Sequence, residues 1–231
     1  MKVFWSEVSV GETEGGLEVS LDGRPVRTPG RQALILPNAA FAEIVAEEWR
    51  AQTETVNPLT MPATRLANSA IEKVQPDASA VADHVASYAT TDLLCYRAVS
   101  PAELIARQSA AWDPLLDWAD ACYGARLRVT QGIMPVDQDE EALARLRARL
   151  DDVDNYTLAA VHEMVTLSGS YILGLAAFER FLSIPEIWAT SRIDESWHIE
   201  QWGPDDEDEA LTQRKEQAFL TAGRLLDCLL P

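Results

Sequence analysis

The sequence predicts an α+β chain: a small N-terminal β-meander domain with one or two helices over residues 1–75, then a larger all-helical domain over residues 76–231. Three observations carry this prediction. Period-two alternation and tight-turn dipeptides crowd the first forty residues. Gln75-Pro76-Asp77 then interrupts the chain, since Pro76 disfavours helix at the residue before it and can open the next one. Beyond that junction nearly every apolar stretch recurs at helical spacing.

Gly16-Leu-Glu-Val-Ser-Leu21 alternates apolar and polar residues, as a half-buried strand does. Asp22-Gly23 follows as a hairpin turn, and Arg24-Pro-Val-Arg-Thr28 continues as a strand that Pro25 confines to an edge or a strand start. Pro29-Gly30 makes another turn before a short strand, Ala33-Leu-Ile-Leu36; upstream, Gly11-Glu-Thr-Glu-Gly15-Gly16 reads as a turn. Asn38 caps a helix reaching about Gln52, with Phe41, Ile44, Val45 and Trp49 in one stripe facing the meander. After Asn57-Pro58-Leu-Thr-Met-Pro62 comes a short helical piece over 64–74. The later helices are expected over 77–88, 101–109, 113–123 (stopped by Gly124), 138–150, 157–181, 185–202 and 208–229. Gly169 and Gly174 read as small residues that let two helices approach.

With 47% hydrophobic and 24% charged residues among 231, the balance is that of an ordinary soluble globular protein. No apolar run approaches the roughly 18 residues of a membrane span, and Tyr171-Ile-Leu-Gly-Leu-Ala-Ala-Phe178 reads as a buried helix. Lys and Arg total 19 against 37 Asp and Glu, a net charge of −18, which repels phosphate backbones and anionic lipid alike. Nucleic-acid binding and membrane insertion are therefore not expected. Met1-Lys2-Val3-Phe4-Trp5 runs into Ser6-Glu7 without a signal-peptide core, so a cytoplasmic location is expected. Cys95, Cys122 and Cys228 form no C-x-x-C pair and read as reduced thiols.

Catalytic motifs are weak. No phosphate-binding P-loop and no nucleophile elbow are present. His162-Glu163 resembles the start of an H-E-x-x-H zinc helix, but Thr166 stands where the second imidazole belongs. A hydrolase or metal-dependent enzyme using His162 and Glu163 with distant carboxylates stays open as an alternative. So does a generic acidic protein-binding module that mimics a polyanion.

The stretch from Asp194 to Glu209 stands out. It holds eight carboxylates and no Lys or Arg, with Trp188, Trp197 and Trp202 in or beside it. At helical spacing Ile193, Trp197 and Glu200 share one side, while Trp188, Glu195 and Trp202 approach another. Tryptophans ringed by charge suit protein recognition, where such anchors dominate the energetics. The run from Asp205 to Glu209 has a plainer reading, as solvated acids favouring the start of the last helix.

Three blocks extend these observations. The first is Leu21-Asp-Gly-Arg-Pro-Val-Arg-Thr-Pro29 with Leu36-Pro37. The second is Ala46-Glu-Glu-Trp49, Gln52, Asn57-Pro58-Leu-Thr-Met-Pro62 and Asn68. The third joins Tyr88, Thr91-Asp92-Leu-Leu94, Gln108, Trp112-Asp-Pro-Leu-Leu-Asp-Trp118, Ser191-Arg-Ile-Asp-Glu195 and Glu200-Gln-Trp-Gly203. Over about residues 4–226 the chain resembles the assembly chaperones of the α subunit of the ATP synthase catalytic head, found in mitochondria and related bacteria.

That resemblance implies a non-enzymatic protein, with no cofactor, that binds the unassembled α subunit and prevents its aggregation until β subunits replace it. It implies a functional acid at Glu195 and a structural role for Trp49. With Glu195, the expected partner-binding set is Asp194, Glu200, Trp197, Trp202 and Trp188; Trp112, Asp113 and Pro114 join Trp49 as structural. A monomer is expected. Ser6 replaces the basic residue expected after the initial aromatic pair, and the missing presequence points to a bacterial-type member, whose mitochondrial relatives would sit in the matrix.

Overall fold

The computed structural model describes residues 2–204 and 206–230, with the side chains of 206–208 outside the description. The chain forms two compact units. One comprises Met1–Ala78, Asp154–Ala160 and Thr221–Pro231; the other comprises Ser79–Val153 and Val161–Leu220.

The first unit is built on a three-stranded antiparallel sheet, β1 (Val8–Thr13), β2 (Gly16–Leu21) and β3 (Arg24–Pro25), in the order β1-β2-β3. The β1–β2 register pairs Val8 with Leu21 and Val10 with Val19. The β2–β3 turn is the one its dipeptide dictates: Asp22 and Gly23 both have positive φ, 47° and 75°, matching the right-handed strand twist. Asp22 also accepts amide hydrogens from Ser6 and Glu7, which holds its carboxyl below the usual carboxylate range. One expectation fails at the start of this sheet. Gly11 to Thr13 belong to β1 and only Glu14-Gly15 turns, because pairing with β2 satisfies a backbone that its polar sequence does not announce. Gly16 is required where it stands, since a Cβ there would collide with the Leu36 carbonyl oxygen that accepts from Leu17.

Helix α1 (Ala39–Arg50) starts at Asn38, whose side-chain oxygen accepts from Phe41 N–H. Its apolar stripe packs on the sheet, with Phe41, Ile44, Val45 and Trp49 buried. A short 3₁₀ turn (Pro58–Thr60) leads into α2 (Pro62–Ser69), which continues through a π turn over Ala70–Val74. Glu48 of α1 caps α2, accepting from Ala63 N at 2.6 Å and Thr64 N at 2.8 Å, while its burial pushes its carboxyl up. Within this unit Tyr156 packs edge-on against Phe41, and Asn38 Nδ2 donates to Cys228 O at 2.8 Å.

The second unit contains α3 (Ala78–Ser87), β4 (Tyr96–Arg97), α4 (Ala102–Tyr123), β5 (Thr130–Gln131), α5 (Glu140–Ala148), most of α6 (Asn155–Ser168), α7 (Tyr171–Phe178), α8 (Ile184–Ser191), α9 (Ile193–Trp202) and the first part of α10 (Asp206–Leu229). β4 and β5 pair in parallel. Three helix boundaries differ from expectation. Residues 102–123 form one helix rather than two, running through Pro114; burial of Trp112, Leu115, Leu116 and Ala119 outweighs the roughly 3 kcal/mol that an interior proline costs. Residues 157–181 break at Gly169-Ser170. There Gly169 adopts φ 71° and its N–H closes onto Val165 O, while Ser170 caps α7. Gly174, by contrast, does lie against Val165, where a Cβ would not fit. The third break falls at Arg192, between α8 and α9.

A buried carboxylate secures the middle break. Asp92 is fully buried and accepts from Leu94 N at 2.9 Å and from Ile172 N, in the first turn of α7, at 3.0 Å. Burial pushes it up to about 6 despite those bonds. Around it Leu94, Cys95, Trp112, Leu116, Leu146, Tyr171, Ile172 and Leu173 form the core. No described helix is long and apolar enough to cross a membrane.

Candidate functional site

The break at Arg192 shapes the region the sequence singled out. Helix α8 opens with a reciprocal capping box, Ser183 with Glu186, and ends at Ser191; α9 begins again at Ile193. The changed helix direction separates residues that a single helix would have grouped. Trp188 turns inward to 6% exposure and packs 5.3 Å from the Phe219 ring, with the Arg192 guanidinium 5.4 Å from its centroid. As an expected partner-contacting residue Trp188 is corrected: it has no free face, and it holds the α8–α10 packing instead.

On α9, Ile193 is buried and Trp197 half-buried, both on the side towards α4. From α4, Arg107 grips Glu200 with two parallel bonds of 2.7 and 2.9 Å while its guanidinium lies 5.0 Å from the Trp197 centroid. That pairing holds Glu200 below the usual carboxylate range and raises Arg107. Next along α4, Gln108 is buried and donates from Nε2 to Asp194 at 2.6 Å, while its Oε1 accepts from Ala98 N at 2.8 Å. Asp194 and Glu200 are thus occupied in clamping α9 to α4.

Glu195, His198, Ile199 and Trp202 point the other way. They fall at i, i+3, i+4 and i+7 and are all exposed, Trp202 at 71%. Glu195 pairs with Arg192 one turn back at 2.8 Å, and His198 lies 4.5 Å from the Trp202 ring. The result is an outward stripe of one acid, one imidazole and two apolar side chains on a helix fixed from behind. Of the acidic run that follows, Asp205 and the side chains of residues 206–208 lie outside the described residues, and Glu209 is exposed.

The expected structural residues sit beneath this surface or in the other unit. Trp112 is fully buried and its Nε1 donates to Thr190 O at 3.0 Å, tying α4 to the end of α8. Buried Arg97 lies 5.3 Å from the Trp112 ring and donates to Leu94 O. Its Nη2 stands 2.8 Å from an Asp113 oxygen, as a charge contact rather than an aligned hydrogen bond. Pro114 lies inside α4. Trp49 packs against Trp5 in the first unit, its Nε1 buried without a hydrogen-bond partner.

Residues 2–120 match the family model of the ATP12 chaperone protein, just over half of the chain. The chain belongs to the ATP12 chaperone family. Solved structures extend the likeness across the α8–α9 region. Atp12 of Paracoccus denitrificans and a mutant of it each share 46% identity and a TM-score of 0.88, over 98% of this chain and 97% of theirs. A protein of Agrobacterium tumefaciens shares 41% identity with a TM-score of 0.92, over 98% of this chain and 85% of its own. The mitochondrial atp12 protein of Schizosaccharomyces pombe is 24% identical over 212 residues, 87% of this chain and 73% of that protein.

Membership in a chaperone family bears on the metal-enzyme alternative, and so does the surrounding geometry. His162 and Glu163 are half-buried on α6, where the His162 ring lies 5.7 Å from that of His84. Among the described residues no three His, Cys, Asp or Glu side chains gather as a metal site would require. Sequence reasoning missed Arg107, His198 and Ile199. Arg107 finds its partner 93 residues away, a pairing no local periodicity signals. His198 and Ile199 could have been found by extending the Glu195–Trp202 face through its i+3 and i+4 positions.

Proposed function

We propose that this ATP12-family protein is an assembly chaperone of the F-type ATP synthase catalytic head, and that it holds the unassembled α subunit on the outward face of α9. The observation that carries this reading is the exposed stripe of Glu195, His198, Ile199 and Trp202, mounted on a helix clamped by Arg107 and Gln108. An unpartnered subunit exposes apolar surface meant for its neighbours, and such surface aggregates. A large indole on a fixed helix covers such surface, and the adjacent carboxylate orients the encounter. Glu195, Ile199 and Trp202 make the contacts; Asp194, Glu200 and Trp197 keep α9 in position.

In this reading the chaperone works as a cytoplasmic monomer, uses no cofactor and catalyses no reaction. Release then comes from competition: a subunit that binds the same client surface more tightly displaces the chaperone by mass action. Pull-down with separately expressed α and β subunits tests it. Capture of the α subunit alone is expected, and capture of neither ends the proposal.

A further inference from the structure

The β4–β5 pair carries a second concentration of exposed apolar side chains. Val99 is 68% exposed, Ile133 93% and Met134 71%, with Val129 beside them at 44%. These residues do not lie on a loose loop. Gly132 N–H donates to Arg97 O at 2.9 Å, and Gln138 closes the loop base by accepting from Arg128 N at 2.7 Å and donating to Arg128 O at 3.0 Å. A Cβ at Gly132 would sit 3.8 Å from Val99 Cγ1, so Val99 borders the loop tip directly. Holding such side chains in water by a fixed backbone is unfavourable in isolation and fits a surface that is covered in a complex.

Two features say what covers it. The segment from Val129 to Glu141 contains no Lys or Arg, although the exposed Arg128 precedes it; Asp137, Asp139 and Glu140 follow the apolar tip in sequence and are exposed, while Glu141 pairs with Arg145. A second copy of this chain, presenting the same acids and a net charge of −18, would be repelled. The Val99 side of this surface is also joined to α9 through a single side chain: buried Gln108 binds Ala98, the neighbour of Val99, with one end of its amide and Asp194 with the other.

We propose that the apolar surface at the β4–β5 pair, formed by Val99 after β4 and by Ile133 and Met134 in the loop after β5, is a second client-binding element linked to α9, and that it covers an apolar segment flanked by basic side chains on the same client polypeptide. The inference rests on the reading of this protein as a holder of the α subunit, and it gives the complementary chemistry of the client surface. α9 supplies the indole anchor; the second surface supplies an unbranched and two branched aliphatic side chains inside an acidic rim.

The test uses the full chain carrying a photo-crosslinking residue at position 133, and separately the pair Ile133→Asp with Met134→Asp, each mixed with purified α subunit. Crosslinking from position 133 to the α subunit is expected, together with at least about a tenfold weaker capture by the double variant at an unchanged Tm. Capture of the α subunit by the parent chain, with no crosslink from 133 and no loss in the double variant, overturns the loop and leaves α9 standing. A crosslink from 133 to a second copy of this chain also overturns it. Failure of the parent chain to capture the α subunit removes both readings. If the double variant unfolds, the crosslinking arm decides by itself.

Discussion

Arg107 and Glu200 meet fork to fork between α4 and α9, and the same guanidinium lies over Trp197. The two groups are substantially exposed, so the pair adds little to global stability; its effect is on where α9 stands. Arg107→Ala is expected to leave Tm nearly unchanged while weakening retention of the α subunit. Arg107→Lys restores retention only in part, because an ammonium cannot reproduce the two-pronged contact. Reversed behaviour, a large fall in Tm with retention intact, would make the pair purely structural.

Glu195→Lys places a second cation beside Arg192, which now lies 2.8 Å from the Glu195 carboxylate. The site is on the surface, so helical circular dichroism and Tm should survive. Light scattering of α subunit held with the variant is expected to rise to the level seen without chaperone. Loss of helical signal would instead show that Glu195 supports the fold.

Trp202 is 71% exposed and contributes almost no core packing. Trp202→Ala is therefore expected to cost binding rather than folding, by about 2 kcal/mol or more if the indole is an anchor. Isothermal titration against the α subunit reads this directly, and an unchanged Kd excludes Trp202 from the interface.

Asp92 gives a pH signature. Burial pushes its carboxyl up from 3.8 to about 6, so the folded chain holds a proton there that the unfolded chain has released. Between those values the folded state binds more protons, and stability falls as pH rises. The contribution is full below pH 3.8 and gone above about 6. The swing is about 3 kcal/mol. Asp92→Asn does not titrate. The stability of the parent relative to this variant should therefore be greatest below pH 3.8 and fall as pH rises, by about 2 kcal/mol between pH 4 and pH 6.5, as read by urea unfolding at each pH. A constant difference would mean that Asp92 ionises as a surface acid does.

Trp112→Ala removes a fully buried indole and is expected to cost about 3–5 kcal/mol. Trp112→Phe keeps most of the volume but leaves Thr190 O without its donor, at about 1–3 kcal/mol. Because Thr190 lies in the last turn of α8, the Phe variant should also weaken client retention beyond what its Tm explains.

Local signals in the chain were legible wherever one residue type fixes one backbone geometry. Asp22-Gly23 specified the hairpin turn, Asn38 the start of α1, and Gly124, at φ 62°, the stop of α4. Boundaries that depend on distant partners were not legible. Pro114 reads as a helix end until the burial of Trp112 and Leu116 is known. The Gly169-Ser170 break looks like a continuous helix until Asp92, nearly eighty residues earlier, is seen accepting the Ile172 amide. Strand β1 has no alternation strong enough to announce it, and pairing with β2 makes it.

The amino-acid sequence by itself determined the fold class, the acidic character, and the concentration of tryptophan and carboxylate around residues 188–202, because composition and spacing act locally. Only the tertiary structure decided which of those groups face outward. Trp188 is turned in by the break at Arg192, and Glu200 and Asp194 are taken by Arg107 and Gln108 of α4, leaving Glu195, Ile199 and Trp202 exposed. Helical spacing fixes which residues share a face; packing against another helix fixes which face meets water.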